Sequence, residues 1–171
     1  MTFFLKNRGF TLIELIVALG LFSIIMVITT GGFVRFLKTE RQASSFTFVN
    51  NNLGAAIEQM AKEIRTGKNF CADGQSCQSP SVLSFVNSKG AAVTYCLENG
   101  TVKRSAGQDC SSGQGITGSK VSVGYLNFIV SNNGNYPPRI TISISANPNN
   151  ESASIYTANL QTTVSSRQLG G

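Results

Sequence analysis

The 171-residue sequence contains no histidine and no tryptophan, and only 13% of its residues are charged. Histidine is the usual general base and a common metal ligand, so its absence excludes the commonest forms of both kinds of site. A serine or cysteine nucleophile has no imidazole here to activate it. The eight acidic residues form no evident catalytic pair. We therefore expect a protein that is not an enzyme and has no catalytic residues, no metal site and no cofactor.

Sites that need no histidine are also poorly represented. Asp73 and Asp109 lie in loops tethered by cysteines, where a calcium ion is conceivable, but calcium usually takes six to eight oxygen ligands. The glycine-rich stretch Gly113–Gly118 lacks the Lys-Ser/Thr ending of a phosphate-binding loop. The formal net charge is +6, yet the basic residues are scattered and form no run. Nucleic acid is therefore not expected as a partner.

The longest uncharged run is Leu15–Val34, which lies between Glu14 and Arg35. As a helix with a rise of about 1.5 Å per residue it would span roughly 30 Å, the thickness of a bilayer core. It therefore predicts a membrane-inserted helix. A charge at the centre of such a helix costs about 2.5–3.5 kcal/mol on insertion scales, so an ionisable residue in the run calls for a partner or a role. Glu14 is either an interfacial residue tolerated by the helix dipole or, as we predict, a carboxylate that awaits a cation from another subunit.

A basic segment containing Lys6 and Arg8, then Gly9, Phe10, three further residues and Glu14 form a dense motif. The motif resembles the prepilin leader of the type IV filament superfamily, which comprises pilins and the pseudopilins of type II secretion. This resemblance implies cleavage between Gly9 and Phe10 by prepilin peptidase on the cytoplasmic side, and N-methylation of Phe10. It also implies that Glu14 pairs with the Phe10 ammonium of a neighbouring subunit during assembly.

Two other interpretations of the same segment fit less well. A secretory signal has an apolar region of about 7–15 residues, which is shorter than this run. A plain signal-anchor helix fits the length but gives Gly9, Phe10 and Glu14 no role. The positive charges on the two sides of the run do not fix its orientation. The resemblance alone places the leader in the cytoplasm and the C-terminal domain outside it.

The helix is predicted to continue from about Thr11 to about Thr66, with Gly67 as its stop signal. Its second half carries apolar residues at helical spacing on one face, which we expect to be core: Phe46, Val49, Leu53, Ile57, Met60 and Ile64. The pair Gly31-Gly32 indicates either a kink that unwinds in a filament or close packing against a neighbouring helix. Asn50-Asn51-Asn52 is a second weak point.

Beyond Gly67 the alternating pattern predicts an antiparallel sheet, with Asn99-Gly100 as a hairpin turn. The predicted strands are Ser81–Asn87, Ala91–Leu97, Thr101–Arg104, Val121–Ser131, Arg139–Ala146 and Ser154–Val164, with loops over Gln108–Ser119 and Asn147–Asn150 and a frayed tail from Ser165. The fold class is α+β, a pilin-like lollipop in which the sheet packs on the second half of the helix. The predicted division is a cleaved leader (1–9), a membrane or filament-core half (10–34), an amphipathic half (35–66) and a β-domain (67–171).

Four cysteines follow the apolar run, which predicts two disulfides in an oxidising compartment. Three pairings are possible, and we favour Cys71 with Cys77 and Cys96 with Cys110 because each pair closes a loop without apolar anchors. Zinc is a weaker alternative, since the sequence lacks the usual close cysteine spacing.

Looser similarities point to a subgroup. Three parts of the chain resemble J-type minor pseudopilins and W-type minor pilins: Gln59–Arg65, the series Phe85, Tyr95 and Arg104, and Leu160–Arg167. The resemblance implies a structural minor subunit in filament initiation or at the tip. Its partners would be other pilins, the peptidase, an inner-membrane assembly platform and, before assembly, lipid. The alternatives are a tip adhesin, a pilin that binds DNA or a secreted substrate, and a membrane-anchored domain without a filament role.

Overall fold

The computed structural model describes residues 9–71, 79–107, 109–131, 136–149 and 157–167. A long helix is followed by seven strands: α1 (Leu12–Thr66), β1 (Val82–Val86), β2 (Ala92–Glu98), β3 (Thr101–Ser105), β4 (Gln114–Gly115), β5 (Val121–Ser131), β6 (Arg139–Pro148) and β7 (Ala158–Ser165). This order confirms the predicted α+β, pilin-like architecture. The chain divides into two compact units between Gln42 and Ala43.

Helix α1 ends at Thr66 as predicted, and it is continuous through both of its predicted weak points. The Gly31-Gly32 pair keeps α-helical geometry, so the unassembled chain has no break there. In the asparagine run, Asn52 Nδ2 donates to the Phe48 carbonyl at 3.1 Å, one turn back. That side chain thus bonds to its own helix instead of competing with it.

The C-terminal part of α1 supplies one side of a hydrophobic core. Val49, Leu53, Met60 and Ile64 are fully buried, as their spacing predicted. Phe46 is 40% exposed, so its assignment to the core was wrong. It precedes Val49, the first helix residue that the domain buries. Two alanines that were not predicted to be in the core, Ala56 and Ala61, are buried. Ile57, which was predicted to be in the core, is only partly buried.

The strands form two antiparallel sheets, β1–β2–β3–β4 and β5–β6–β7, where the sequence predicted one. The reason lies at the edge of β3. Strand β4, in the segment predicted as a loop, pairs there with Lys103 and Arg104 and occupies the edge that β5 would need. Both sheets contribute side chains to the same core cluster as the helix.

The turn between β2 and β3 was predicted more accurately than the ends of the strands. Asn99 and Gly100 have φ values of 50° and 72°, the positive values that a tight hairpin turn requires. Strand β6 extends through Pro148, so the loop predicted from Asn147 begins too early. Its last residues pair with Val121 and Ser122, and proline is tolerated at such a strand end. Residues 154–156, predicted as the start of the last strand, lie outside the described residues.

Of the tail predicted to be frayed, Ser165 ends β7, and Ser166 and Arg167 are bonded to the end of α1, which corrects that prediction for these residues. Residues 168–171 lie outside the described residues. Ser166 is buried, and its Oγ donates to the Gly67 carbonyl at 2.8 Å. The amide of Arg167 donates to the Arg65 carbonyl at 2.8 Å. The Arg65 carbonyl is one of the last four of the helix, which have no partner inside it, and the Gly67 carbonyl directly follows the helix.

A disulfide joins Cys96 on β2 to Cys110, one of the two pairs favoured from the sequence. It ties the loop that follows β3 back to the first sheet. Cys71 is also disulfide-bonded, whereas Cys77 lies outside the described residues.

Candidate functional site

The first helical turn is closed by a capping arrangement around Thr11. The amide of Glu14 donates to Thr11 Oγ1 at 3.3 Å, and the amide of Leu15 donates to the Thr11 carbonyl at 3.2 Å. Thr-x-x-Glu at a helix start is the capping-box pattern. The interpretation from the sequence missed this role, although the pattern was readable. It fixes the start of α1 directly after Gly9 and Phe10.

The residues predicted for processing and assembly are all accessible. Phe10 is 83% exposed, and a Cβ added to Gly9 would meet no atom within 4 Å. Glu14 is exposed, and none of the ion pairs among the described residues involves it. The segment therefore presents an open peptide bond between Gly9 and Phe10, followed by a helix whose first-turn carboxylate is available to a partner.

The first half of α1 is apolar on all its faces, and its side chains are exposed. Its large apolar side chains, from Leu12 to Phe36, are 50–76% exposed. A helix that is hydrophobic all round is stable inside lipid or inside a packed bundle. By length and composition α1 can cross a membrane. The helix fits membrane anchoring.

The hydroxyl groups within this apolar half are bonded to the helix itself. Ser23, Thr29 and Thr30 donate to carbonyls four residues back, at 2.8, 2.9 and 2.7 Å. In hydrocarbon an unbonded polar group costs several kcal/mol. These side chains therefore add little to the cost of placing the helix in lipid.

A second polar cluster links α1 to the first sheet. Arg104 binds the Glu63 carboxylate through Nη2 at 2.8 Å and through Nε at 3.1 Å to each oxygen. The Tyr95 hydroxyl donates to Glu63 Oε2 at 2.9 Å, and Tyr95 lies opposite Arg104 in the β2–β3 register. The subgroup motifs had singled out all three residues, and the structure brings them together.

The electrostatics of this cluster keep its hydrogen bonds in place. Burial, helped by the neighbouring Glu63 carboxylate, raises the pKa of Tyr95, so the phenol stays a neutral donor. The hydrogen bond to Glu63 raises the pKa of Arg104. No step of chemistry is evident in such an arrangement. The cluster acts as a bidentate clamp between helix and sheet.

The carboxylate of Asp109 is hydrogen-bonded within its own loop. Its two carboxylate oxygens accept hydrogen bonds from the amide and the hydroxyl of Ser111, at 3.1 and 2.5 Å. These bonds lower the pKa of the Asp109 carboxyl. The other residue considered for calcium, Asp73, lies outside the described residues. Within the described part of the chain, no three cysteine, aspartate or glutamate side chains are grouped to hold a metal ion.

The fold and the N-terminal segment define a class of protein: a subunit with a long apolar N-terminal helix, a pilin-like β-domain and an accessible leader junction. The model of the family described as the prokaryotic N-terminal methylation motif matches residues 5–30. The chain therefore carries a prepilin-type leader, which supports its place in the type IV filament superfamily. No curated protein and no solved structure gives a significant match to the chain.

Proposed function

We propose that this protein is a structural, minor subunit of a type IV pilus or of a type II secretion pseudopilus. The observation that carries the proposal is the methylation motif over residues 5–30. That motif includes the capped start of α1, and the apolar side chains of this part of the helix are exposed on every face. Such a surface needs lipid or other helices around it, and a filament core supplies the latter.

In this proposal prepilin peptidase cleaves between Gly9 and Phe10 and methylates the new amino terminus. Glu14 then pairs with the Phe10 ammonium of a neighbouring subunit. Opposite charges attract far more strongly in a helix bundle than in water, because the dielectric constant there is low. Leaving either charge buried without a partner would be costly, so the pairing favours correct assembly.

Before assembly the subunit resides in the cytoplasmic membrane, with the β-domain outside the cytoplasm. The Cys96–Cys110 disulfide supports this orientation, since disulfides persist in oxidising compartments. The partners are the peptidase, an assembly platform and other pilins. We place the subunit at filament initiation or at the tip, because the subgroup similarities point to minor subunits.

The first test is the mass of the N-terminal peptide of the protein extracted from membranes of its native host. A chain that starts at Phe10 and carries one methyl group is the expected result. An intact leader would show that the motif is not used and would favour a plain membrane anchor.

The second test removes the charge of Glu14. In Glu14→Leu we expect normal cleavage and membrane insertion, with subunit incorporation into sheared filaments lowered at least about tenfold, because the partner ammonium is left unpaired. Glu40→Leu is the matched control, since Glu40 is also an exposed carboxylate of α1. Wild-type incorporation of the Glu14→Leu protein would contradict the assembly role.

A further inference from the structure

The two sheets have four lateral edges, and in the described part of the chain three of these edges are bonded, bulged or short. At β1, the backbone of Lys68 exchanges two hydrogen bonds with Val86, each of 2.8 Å. Strand β4 has only two residues. Strand β5 has a bulge between Val123 and Tyr125, and the Val123 amide donates to the Gly100 carbonyl at 2.8 Å. Each of these features keeps a further strand from pairing there.

The fourth edge, that of β7, has none of these features. Ala158–Ser165 contains no charged residue and no proline, and its register with β6 is unbroken. Edge strands ordinarily carry a lysine, a proline or a bulge that blocks pairing with another chain. Strand β7 is eight residues long, so its edge can hold a partner strand of full length.

Hydrogen bonds just after β7 show which of its backbone groups point away from the sheet. The Ser166 amide donates to the Pro138 carbonyl on the β6 side, whereas the next amide, that of Arg167, donates to the Arg65 carbonyl of the helix. Backbone groups of successive residues in an antiparallel strand alternate between its two neighbours. The even-numbered residues of β7 therefore bond to β6, and the exposed odd-numbered residues point to the free edge: Asn159, Gln161, Thr163 and Ser165.

The backbone groups of these four residues have no partner among the described residues. Their recorded hydrogen bonds come from side chains: Thr163 Oγ1 bonds to Thr141 Oγ1 at 3.0 Å, and Ser165 Oγ donates to the Ser166 carbonyl at 3.4 Å. Each residue contributes one amide donor and one carbonyl acceptor. The edge of β7 thus presents four donors and four acceptors in the spacing of a strand.

We propose that this edge pairs with the same edge of a second copy of the chain, so that the two three-stranded sheets join into one. Antiparallel pairing about a two-fold axis at Thr162 places Gln161 opposite Thr163 of the second copy, and Asn159 opposite its Ser165. All donors and acceptors of both edges are then paired. The contact is isologous and closed on itself, so it is separate from the packing of helices in the proposed filament.

The side chains of β7 favour a second copy over a different strand. In this register Leu160 lies opposite Val164 on the inner face of the sheet, where Leu160 is only partly buried. On the outer face, side-chain amides meet hydroxyls, which form cross-strand hydrogen bonds and bring no like charges together. The bond from Arg167 to Arg65 closes the edge beyond Ser165, so the pairing is confined to β7. A charged strand would find no opposite charge on this edge.

The test measures the mass of the full-length protein against its concentration, by sedimentation equilibrium in a neutral, density-matched detergent. We expect a dimer with a Kd between about 1 μM and about 1 mM, since one strand edge is a small interface. Gln161→Lys/Thr163→Lys should weaken this dimer at least about tenfold, because like charges then face each other twice. Gln161→Lys/Thr163→Glu should return the Kd to within about threefold of wild type, because the same register then pairs opposite charges.

The matched control is Thr141→Lys/Ser143→Lys. These residues lie beside Thr163 and Gln161 on β6, so the control adds the same charge to the same face, one strand from the edge. It also removes the same bond between Thr141 and Thr163. Charges on β6 of the two copies lie farther apart than about 8 Å, where salt screens them, so the Kd should change less than about threefold. Thermal melting checks the folding of every variant.

A single cysteine on the two-fold axis tests the register independently of any association through the apolar helix. Thr162→Cys should form a disulfide between two copies under mild oxidation, since residues that face each other across this axis lie about 4.5 Å apart. Asn159→Cys is the control, because its two copies lie roughly 20 Å apart in this register. It should form no disulfide between copies.

Four results would overturn the proposal. Wild-type protein that stays monomeric over the stated range would show that the edge does not pair. A dimer of unchanged stability in Gln161→Lys/Thr163→Lys would assign the association to the apolar helix, and an equal loss in the control variant would assign it to net charge. Equal cross-linking of Thr162→Cys and Asn159→Cys would mean that the copies meet without this register. Each result is independent of leader cleavage, which tests the proposed function.

Discussion

Gly67 illustrates how one residue without a side chain sets the junction between helix and sheet. A Cβ at this position would lie 2.5 Å from Phe85 Cδ2 and 3.1 Å from Phe70 Cζ. Its carbonyl accepts the hydrogen bond from Ser166. Glycine is therefore required here by close packing, and not only as a stop signal at the end of the helix.

We expect Gly67→Ala to destabilise the domain by about 1–3 kcal/mol, because the added methyl group forces the ring of Phe85 aside. Gly54→Ala is the matched control, since a Cβ there meets no atom within 4 Å. It should stabilise the protein by up to about 1 kcal/mol through helix propensity. Thermal unfolding followed by circular dichroism measures both. Shifts of the same sign would contradict the steric explanation.

Tyr95 gives the domain a pH dependence with a defined sign. Burial raises the pKa of its phenol, so the folded state holds this proton more tightly than the unfolded chain does. The resulting stabilisation is complete below the ordinary tyrosine pKa of about 10 and is lost as the pH rises above it.

In Tyr95→Phe this alkaline loss should become smaller, while the missing hydrogen bond to Glu63 costs about 1 kcal/mol at neutral pH. Melting temperatures of wild type and variant between about pH 8 and about pH 11 provide the comparison. Parallel pH profiles for the two proteins would contradict the role assigned to this phenol.

Among the described residues, no atom lies close to the glycine pair Gly31-Gly32 of α1. A Cβ at Gly31 or Gly32 would meet no atom within 4 Å, and the helix passes through both residues without a break. Packing within the unassembled subunit therefore gives no reason for glycine at either position. The two explanations drawn from the sequence, unwinding or close helix packing, both concern the assembled state.

We predict that Gly31→Ala/Gly32→Ala strengthens the helix locally, since each glycine costs about 1 kcal/mol relative to alanine. Amide hydrogen exchange around these positions in detergent micelles should slow by up to about 30-fold. The melting of the β-domain should stay unchanged. Exchange as fast as in wild type would show that the glycines do not weaken the helix.

Elements whose signals are local were predicted well, and those set by distant partners were not. The extent of α1 follows from its apolar pattern, and the Asn99-Gly100 turn from its own dipeptide. Strand β4 has only two residues and is defined by its pairing with the edge of β3, so no local sequence pattern predicts it. The division into two sheets depends on that same edge. Phe46 was predicted to be in the core but is exposed, whereas Ala56 is buried. The difference depends on which part of the helix the domain covers, and hydropathy does not predict this.

At the scale of the whole molecule, the core of the β-domain unit is independent of the N-terminal half of the helix. The buried residues of α1 begin at Val49, inside the second unit. We predict that removal of residues 1–34 leaves a domain that folds on its own and stays in solution without detergent. Its melting temperature should lie within about 4 °C of that of the full-length protein. Loss of near-UV circular dichroism in the truncated protein would contradict this.

The N-terminal motif and the contacts at the end of α1 differ in how far the sequence could predict them. Gly9, Phe10 and Glu14 are close neighbours in a segment that resembles a known processing signal, so a short motif sufficed. The contacts between the end of α1 and the segment after β7 join positions as far apart as Arg65 and Arg167, and no local pattern predicts them.

Those same contacts impose an order on folding during synthesis. The carbonyls of Arg65 and Gly67 become available once the helix has formed, but their partners, the Arg167 amide and the Ser166 hydroxyl, lie about 100 residues later. Strand β7 likewise completes the second sheet only after β6 has emerged. Contacts this distant in sequence form late, because a long loop must close first. The β-domain therefore cannot close until residue 167 has been synthesised, and by then the apolar first half of α1 is already complete and exposed.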